Sequence, residues 1–427
     1  MKRAVVTGLG FITSIGNNRE QVLRSLKECR TGVEIFPEFA PADVPVKLAG
    51  TIKGFQFPTP YFEDWIYPAE YKLTREQLRP MAPNSLYAFC AMQQAIADAQ
   101  LTPDLVSNPR TGIMCASGGS MWLAHENLQT MLTRGVARCQ PMGIINGIPG
   151  SLYINLVSCF RIKGGSVGFS SACSSSAHAL GAACDLIRLG RQDTVFVVGA
   201  EDCNKFNILP FAGIRALSLQ TDPARSPCAF DLKRDGFVGT GGATVLVVEE
   251  LEHARRRGAS VAAEVLGWGQ SSDGYNVIAP DPTGDGLKRA MEEALRDAKL
   301  EPKHIDYINA HATSTPAGDV SECRAIRDVF HNGKRPHVSS TKSLTGHGLS
   351  LAGAMEAAFC VLALQEEFTP VSAHISQLDP ECAIVPIVTQ PVPDAPRLAL
   401  NNSSGFGGTN VSIALRRWEN ESCDEKL

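Results

Sequence analysis

Short runs of β-branched and apolar residues, each bounded by glycine or a polar cluster, recur along the chain: Ala4-Val5-Val6-Thr7, Val195 to Val198, Thr244 to Val248, Val261 to Val265 and Ile305 to Ile308. Runs of this kind predict buried strands. Between them, apolar residues fall at helical spacing, as in Ala177, Leu180, Cys184 and Ile187. The same spacing joins Leu287, Ala290, Met291, Ala294, Leu295 and Ala298, and then Leu349, Ala352, Met355, Phe359 and Leu362. Each stripe predicts a helix with a core face. Strands alternating with such helices imply a layered α/β fold.

The pattern also repeats on a larger scale. The charged stretch from Glu249 to Ser260 divides the chain near residue 255 into two portions of similar design, 1–255 and 256–427. In the first, VGFSSACSSSAHALGAAC (Val167 to Cys184) runs from a strand through small polar residues into an apolar helix. In the second, HVSSTKSLTGHGLSLAGAMEAA (His337 to Ala358) does the same. This implies an internal duplication. Two less regular insertions, residues 33–82 and 118–160, are rich in prolines and aromatics and are candidates for a cap or an interface.

Composition narrows the function classes. The 427 residues carry 40 Lys+Arg against 44 Asp+Glu, a net charge of -4, and 44% are hydrophobic. This is an ordinary globular balance without the basic excess of a nucleic-acid or anionic-membrane binder. The one basic run, Arg255-Arg256-Arg257, reads as the solvated end of a helix. Thirteen cysteines, an odd number with no CxxC, argue against a disulfide scaffold and for a reducing cytoplasm. Nine histidines include no HxxxH pair, so no zinc-ligand spacing appears and no metal is expected. The apolar N-terminal stretch is cut by Gly8, Gly10, Ser14 and Gly16, so neither a signal peptide nor a membrane span is expected.

Four segments carry candidate chemistry. Cys173 sits where the strand Ser166 to Ser170 gives way to a helix beginning near Ser174, and unpaired N–H groups at a helix start favour a nucleophilic thiolate. Small residues on both sides leave room for a substrate and for amides aimed at an oxyanion. His311 opens HATSTPAGD at a predicted strand end, beside Thr313 and Thr315. His347 lies in SSTKSLTGHG, five residues after Lys342 and just before a helix. NNSSGFGGTN, Asn401 to Asn410, holds a single Phe406 among glycines that permit tight turns. No GK[ST] follows it, so a phosphate loop is a poor reading. Gly8-Leu9-Gly10 is a weak dinucleotide lookalike, with Thr13 in place of the third glycine.

Together, MKRAVVTGLG, SSACSSSAH, FDLKRDGFV, NAHATSTPAGD, SSTKSLTGH and SGFGGTN resemble the β-ketoacyl-acyl-carrier-protein synthases of the thiolase-like superfamily, over Met1 to about Trp418. The resemblance implies a five-layered αβαβα fold of two duplicated halves, usually homodimeric. It implies that Cys173 is the acylated nucleophile, that His311 and His347 complete a Cys-His-His site, and that Lys342 supports the second histidine with Glu356 as its partner. It gives Phe406 a gating role and, with Cys173, a backbone N–H in the oxyanion hole. Thr313 and Thr315 would contact phosphopantetheine. Gly119 and Ser404 would border the acyl pocket, and both are small. Arg79 and Arg215 would dock an acidic acyl carrier protein, and Arg134 and Arg138 lie in the insertion 118–160. No cofactor is implied beyond the phosphopantetheine of the carrier.

The implied activity is a decarboxylative condensation of malonyl-acyl-carrier protein with an acyl group on Cys173, which lengthens the chain by two carbons. Four departures from the usual family pattern stand out: Ala312 for a glycine, Ser350-Leu351 for Gly-Ala, Ser404 for a first phenylalanine, and Cys228-Ala229 for Arg-Pro. They lean toward a ketosynthase dedicated to a polyene or polyketide chain rather than a housekeeping one. A non-catalytic chain-length partner, in a heterodimer, would lack the cysteine. A degradative thiolase would have a second active-site cysteine where His347 stands.

Overall fold

A computed structural model describes residues 1–41, 43–393 and 395–419. The first half supplies β1 (Ala4–Ile12), β2 (Thr111–Ala116), β3 (Ser166–Phe169), β4 (Thr194–Glu201) and β5 (Gly242–Glu250). The second supplies β6 (Ala263–Ser272), β7 (Tyr307–Asn309), β8 (His337–Ser339), β9 (Leu398–Gly405) and β10 (Thr409–Arg417). The expected apolar runs lie within or beside β1 and β4–β7. The strands β2, β9 and β10 were not among them. Asn401 to Asn410, expected as a glycine loop, is the tip of the β9–β10 hairpin.

These ten strands hydrogen-bond in the order β8-β7-β9-β10-β6-β1-β5-β4-β2-β3, and two short strands, Val33–Ile35 and Leu48–Gly50, pair separately. Outward from the middle, β1-β5-β4-β2-β3 and β6-β10-β9-β7-β8 follow the same order. In each, the first two pairings are antiparallel and the last two parallel. The halves join through a short antiparallel seam, Ala4↔Val265, Val5↔Glu264 and Val6↔Ala263.

Helices complete the layers: α1 (Pro83–Asp98), α2 (Met121–Arg134), α3 (Ser151–Phe160), α4 (Ser175–Arg188), α5 (Asp285–Ala298), α6 (Pro316–Val329) and α7 (Ala352–Gln365). The central core packs α4 (Ala177, Leu180, Ile187) and α7 (Met355, Phe359, Leu362) between strands of both halves, with Val197 and Val248 on one side and Val411 and Ile413 on the other. Alternate residues of the same strands, Phe196 and Val198, face outward onto α1 and α3. Leu400 and Ala414 face α5 and α6. The result is the thiolase-like αβαβα stack expected from the sequence.

Two Gly-x-Gly pairs show the duplication in atomic detail. A Cβ on Gly10 of β1 would lie 1.9 Å from the Ala91 carbonyl oxygen of α1, and one on Gly269 of β6 would lie 2.2 Å from that of Ala290 in α5. Helix backbone thus rests directly on strand backbone in both halves. The Gly8-Leu9-Gly10 lookalike is a helix seat inside a strand, not a phosphate loop.

The arginine run departs from expectation. Arg257 turns back, and its Nε donates to the fully buried Glu249 at 2.9 Å, so it is not a solvated helix end. No helix among the described residues is long and apolar enough to cross a membrane.

Gly10→Ala and Gly269→Ala should each destabilise the fold by about 1–3 kcal/mol or more, because the new methyl meets backbone that cannot swing aside. Thermal unfolding would show a lowered Tm for both; an unchanged Tm would contradict the direct helix-on-strand contact.

Candidate active site

Cys173 lies in the tight turn between β3 and α4. Ala172 before it adopts a left-handed φ of 50°. The Ser171 carbonyl behind it accepts hydrogen bonds from Ser174 N–H (3.2 Å), Ser174 Oγ (2.8 Å) and Thr409 Oγ1 (3.1 Å), so β10 of the other half fastens the turn. The same hairpin comes closer still at Gly405, where a Cβ would stand 3.0 Å from the Cys173 nitrogen. Neither the Cys173 nor the Phe406 backbone N–H makes a hydrogen bond among the described residues. Two free amides at such a turn suit a developing oxyanion.

His347 precedes α7 and is pinned through its backbone: its N–H donates to Val238 O (2.7 Å), and its carbonyl accepts from Thr240 N–H (3.0 Å). Its Nε2 stands 3.0 Å from Cys173 Sγ. The ring of Phe237 meets it edge-on at 5.2 Å, and the His311 ring crosses it nearly perpendicularly at 5.3 Å. His311 follows β7. Its N–H and that of Ala312 donate to the Glu322 carboxylate of α6 at 2.9 and 2.7 Å, and Asn402 holds the same carboxylate from β9 at 3.1 Å. In both histidines Nδ1 is buried without a partner. A buried N–H needs an acceptor more than a lone pair needs a donor, so each ring proton belongs on Nε2.

Beneath the histidines, Lys342 and Glu356 form an ion pair that is fully buried, at 1% and 0% side-chain exposure. Burial pushes the Glu356 carboxyl up to about 7, against the pull of the lysine. Burial, assisted by the Lys342 charge, holds both His311 and His347 well below the ordinary imidazole value, so both rings are neutral. The thiol behaves differently from the sequence expectation. Burial pushes Cys173 up to about 12, Lys342 opposes this only partly, and Glu201 and Glu356 add to it. Desolvation therefore outweighs the helix start, and the resting group is a neutral thiol with an imidazole in contact.

These groups open on a cavity of about 360 Å³. Cys173, His311, Thr313, Thr315, His347, Ser404 and Phe406 line it, and the exposed Arg215 stands on its wall. The Thr313 and Thr315 hydroxyls are 3.2 Å apart. Ser404 Oγ donates to Asn410 Oδ1 at 2.7 Å. Gly119 is not on this cavity: it lies at φ 81°, and a Cβ there would meet Gly147 O and Pro149 N at 2.8 Å. Arg79, at the end of the short helix Arg75–Leu78, is exposed and also off the cavity.

Sequence reading missed Glu322 and Glu201. In α6, Asp319, Glu322, Cys323 and Ile326 are all buried at helical spacing. Acids on a core-facing stripe were the available signal for Glu322. Among the described residues no group of three or more His, Cys, Asp or Glu side chains could hold a metal ion.

Because the thiol titrates far above its ordinary 9.0, alkylation of Cys173 by iodoacetamide should keep rising with pH through 9. A plateau below pH 9, read by peptide mapping, would instead reveal a stabilised thiolate.

Comparison with known proteins agrees with this geometry. The family description "Beta-ketoacyl synthase, N-terminal domain" matches residues 1–254, and "Beta-ketoacyl synthase, C-terminal domain" matches residues 262–376. The chain is 41% identical to 3-oxoacyl-[acyl-carrier-protein] synthase 1 of Haemophilus influenzae, over 98% of this chain and 100% of that protein. Among solved structures, a β-ketoacyl synthase from Burkholderia phymatum superimposes with a TM-score of 0.89 at 33% identity, covering 98% of this chain and 100% of the other. The ishigamide ketosynthase/chain length factor gives 0.87 at 30% identity, with the same coverage. With both family descriptions matched in tandem and relatives aligned from end to end, this chain belongs to the β-ketoacyl synthase family.

Proposed function

We propose that the protein elongates fatty-acyl chains by decarboxylative condensation at Cys173, His311 and His347. The observation that carries this reading is the 3.0 Å contact between Cys173 Sγ and His347 Nε2, with a second neutral imidazole facing the same cavity. An acyl thioester reacts first: the new S–C bond forms at Cys173, the carrier thiol leaves, and the free amides of Cys173 and Phe406 hold the oxyanion. The thiol proton passes to the departing carrier thiolate as the S–C bond forms, because His347, with its ring proton on Nε2, faces Sγ as a donor and not as a base. Malonyl thioester then enters. Its carboxylate leaves as carbon dioxide, and the bonding pair becomes an enolate whose oxygen accepts hydrogen bonds from both Nε2–H groups. The enolate carbon attacks the acyl carbonyl, the S–C bond breaks, and Cys173 leaves as a thiolate that takes up one proton from solvent to restore the thiol. Loss of carbon dioxide generates the carbanion, so this route calls on no resident cofactor beyond the carrier's phosphopantetheine.

The departures at Ala312, Ser350-Leu351, Ser404 and Cys228-Ala229 leave every one of these groups in place. End-to-end likeness at 41% to a 3-oxoacyl-[acyl-carrier-protein] synthase outweighs their lean toward a specialised chain, and the dedicated polyene or polyketide reading is not favoured. An assembled cysteine and histidine pair also distinguishes the chain from a non-catalytic chain-length partner.

We assign Thr313 and Thr315 to the phosphopantetheine arm, and Lys342 with Glu356 to the support of His347. Ser404 would bound the acyl chain from the cavity wall, and Gly119 from its more distant turn. Arg215 at the cavity and Arg79, Arg134 and Arg138 on the surface are the proposed docking cations for an acidic acyl carrier protein. A dimer fits the outer strand β3, whose Val167 is exposed, and the apolar Leu128 and Leu132 on the open face of α2. We read it as a homodimer, with a related subunit as the alternative partner. The division into halves falls near residue 255. Twelve free thiols among the described residues fit a reducing cytoplasm.

Cys173→Ala should abolish condensation, and an acyl adduct should map to Cys173 by mass spectrometry; condensation surviving in that variant would overturn the assignment. His311→Ala and His347→Ala should each slow malonyl decarboxylation by about 100- to 1000-fold.

Since both imidazoles are held below the ordinary 6.5, they stay neutral as pH falls through that value. The decarboxylation rate should therefore stay level there and drop only at more acid pH, where the donors become charged. A midpoint at 6.5 would contradict this.

Arg215→Glu should weaken turnover of carrier-bound substrates more than of small thioester mimics. Equal losses on the two would remove the docking role.

A further inference from the structure

Glu201, the last residue of β4, is 2% exposed and takes no part in the proposed reaction. Its Oε1 accepts hydrogen bonds from Gly118 N–H at 2.9 Å, from Ser350 N–H at 3.3 Å and from Ser350 Oγ. Gly118 belongs to the turn Ser117-Gly118-Gly119-Ser120, which is fastened on its far side by Ser120 Oγ to Asp202 at 2.6 Å and by Asn207 Nδ2 to the Gly119 carbonyl at 3.0 Å. Ser350 comes three residues after His347. Between them, Leu349 adopts a left-handed φ of 51° and lines the catalytic cavity. Leu351 on the other side is fully buried, with its Cα 3.0 Å from where a Cβ on Gly199 would stand.

The segment that presents His347 is therefore held on both sides. Val238 and Thr240 hold the His347 backbone, and Glu201 holds the chain three residues later. A serine at position 350 supplies two donors to the Glu201 carboxyl where glycine or alanine would supply one; burial pushes that carboxyl up to about 7, and the Ser350 and Gly118 hydrogen bonds oppose the rise.

We propose that Ser350 is a positioning residue for His347: its hydroxyl straps the strained Leu349 segment to Glu201, and so to the Gly118 turn, fixing the height of the imidazole over Cys173. The inference rests on the role assigned to His347 above. The strap touches no reacting atom. It acts on decarboxylation, which depends on the placement of the His347 donor, more than on acyl transfer to Cys173, whose turn is fastened separately by Thr409.

The test compares the full-length parent, Ser350→Ala, Ser350→Thr, Glu201→Gln and the Ser350→Ala/Glu201→Gln double variant. Malonyl decarboxylation is followed by carbon dioxide release and Cys173 acylation by intact mass. For Ser350→Ala, kcat for decarboxylation should fall about 5- to 20-fold, as expected for losing one hydrogen bond to a buried carboxyl. KM for the malonyl thioester and the acylation rate should stay within about twofold on the same reasoning.

Ser350→Thr keeps the hydroxyl and should recover most of the lost kcat. Glu201→Gln should lower kcat too, and adding Ser350→Ala to it should cost less than Ser350→Ala costs in the parent, because both act on one contact. Unchanged decarboxylation in Ser350→Ala, equal losses in acylation and decarboxylation, or full additivity in the double variant would each overturn the strap. A parent that acylates Cys173 but never decarboxylates malonyl thioester would overturn the functional reading itself, and the strap with it.

Discussion

Gly353, near the start of α7, lies on the backbone of Ala177 in α4: a Cβ there would fall 2.6 Å from the Ala177 nitrogen and 2.7 Å from its Cβ. This contact between the two central helices sets the rest of the site. Each helix follows a loop at the same topological place in its half, and the loops carry Cys173 and His347. When the helices meet near their first turns, those loops are brought face to face, 3.0 Å apart at Sγ and Nε2. The close approach exists because both helices carry small residues on the facing side, where a larger one would force the backbones apart. His311 arrives from a third place, the end of β7, and Glu322 holds it there by its backbone rather than its ring.

The electrostatics follow from the same burial. A thiol and two imidazoles in the middle of a five-layered stack are all pushed toward their neutral forms. Lys342 is a buried cation beside the histidines, and Glu356 compensates it; losing either partner would leave a charge with no water to solvate it. Burial first and the lysine second keep the histidines neutral, which suits groups that must donate from Nε2 to a nascent enolate instead of carrying a full charge. The same setting keeps Cys173 protonated until the carrier thiolate leaves. Decarboxylation thus falls to the two imidazoles as donors, while acylation is served by the turn that carries Cys173.

The departures from the usual family pattern find places in this framework. Ala312 is buried in the outer core of the second half, and its amide is one of the two donors to Glu322. Ser350 adds donors to Glu201, and Leu351 fills the central core. Ser404 turns its hydroxyl to Asn410, itself bonded to Asp273 at 2.6 Å. Each substitution is absorbed by packing or by a hydrogen bond outside the reacting atoms, so a changed sequence is compatible with an unchanged set of catalytic groups.

Much of the fold was legible because its signals are local. Apolar runs at strand length and stripes at helical spacing located β1, β4, β5 and the central helices, and the two strand-to-helix units around Cys173 and His347 exposed the duplication. The candidate nucleophile and both histidines could be named from their small-residue settings and from the resemblance those motifs carry. The sequence by itself thus determined the architecture and which side chains hold the chemistry. Only the tertiary structure decided that Gly8 and Gly10 seat a helix, that Arg257 answers a buried Glu249, that Gly119 stands off the catalytic cavity, and that Cys173 rests as a thiol. The reason is physical: helix seating, ion pairing and desolvation are set by atoms tens or hundreds of residues away along the chain, and no local pattern records how deeply a side chain is buried or what it finally touches.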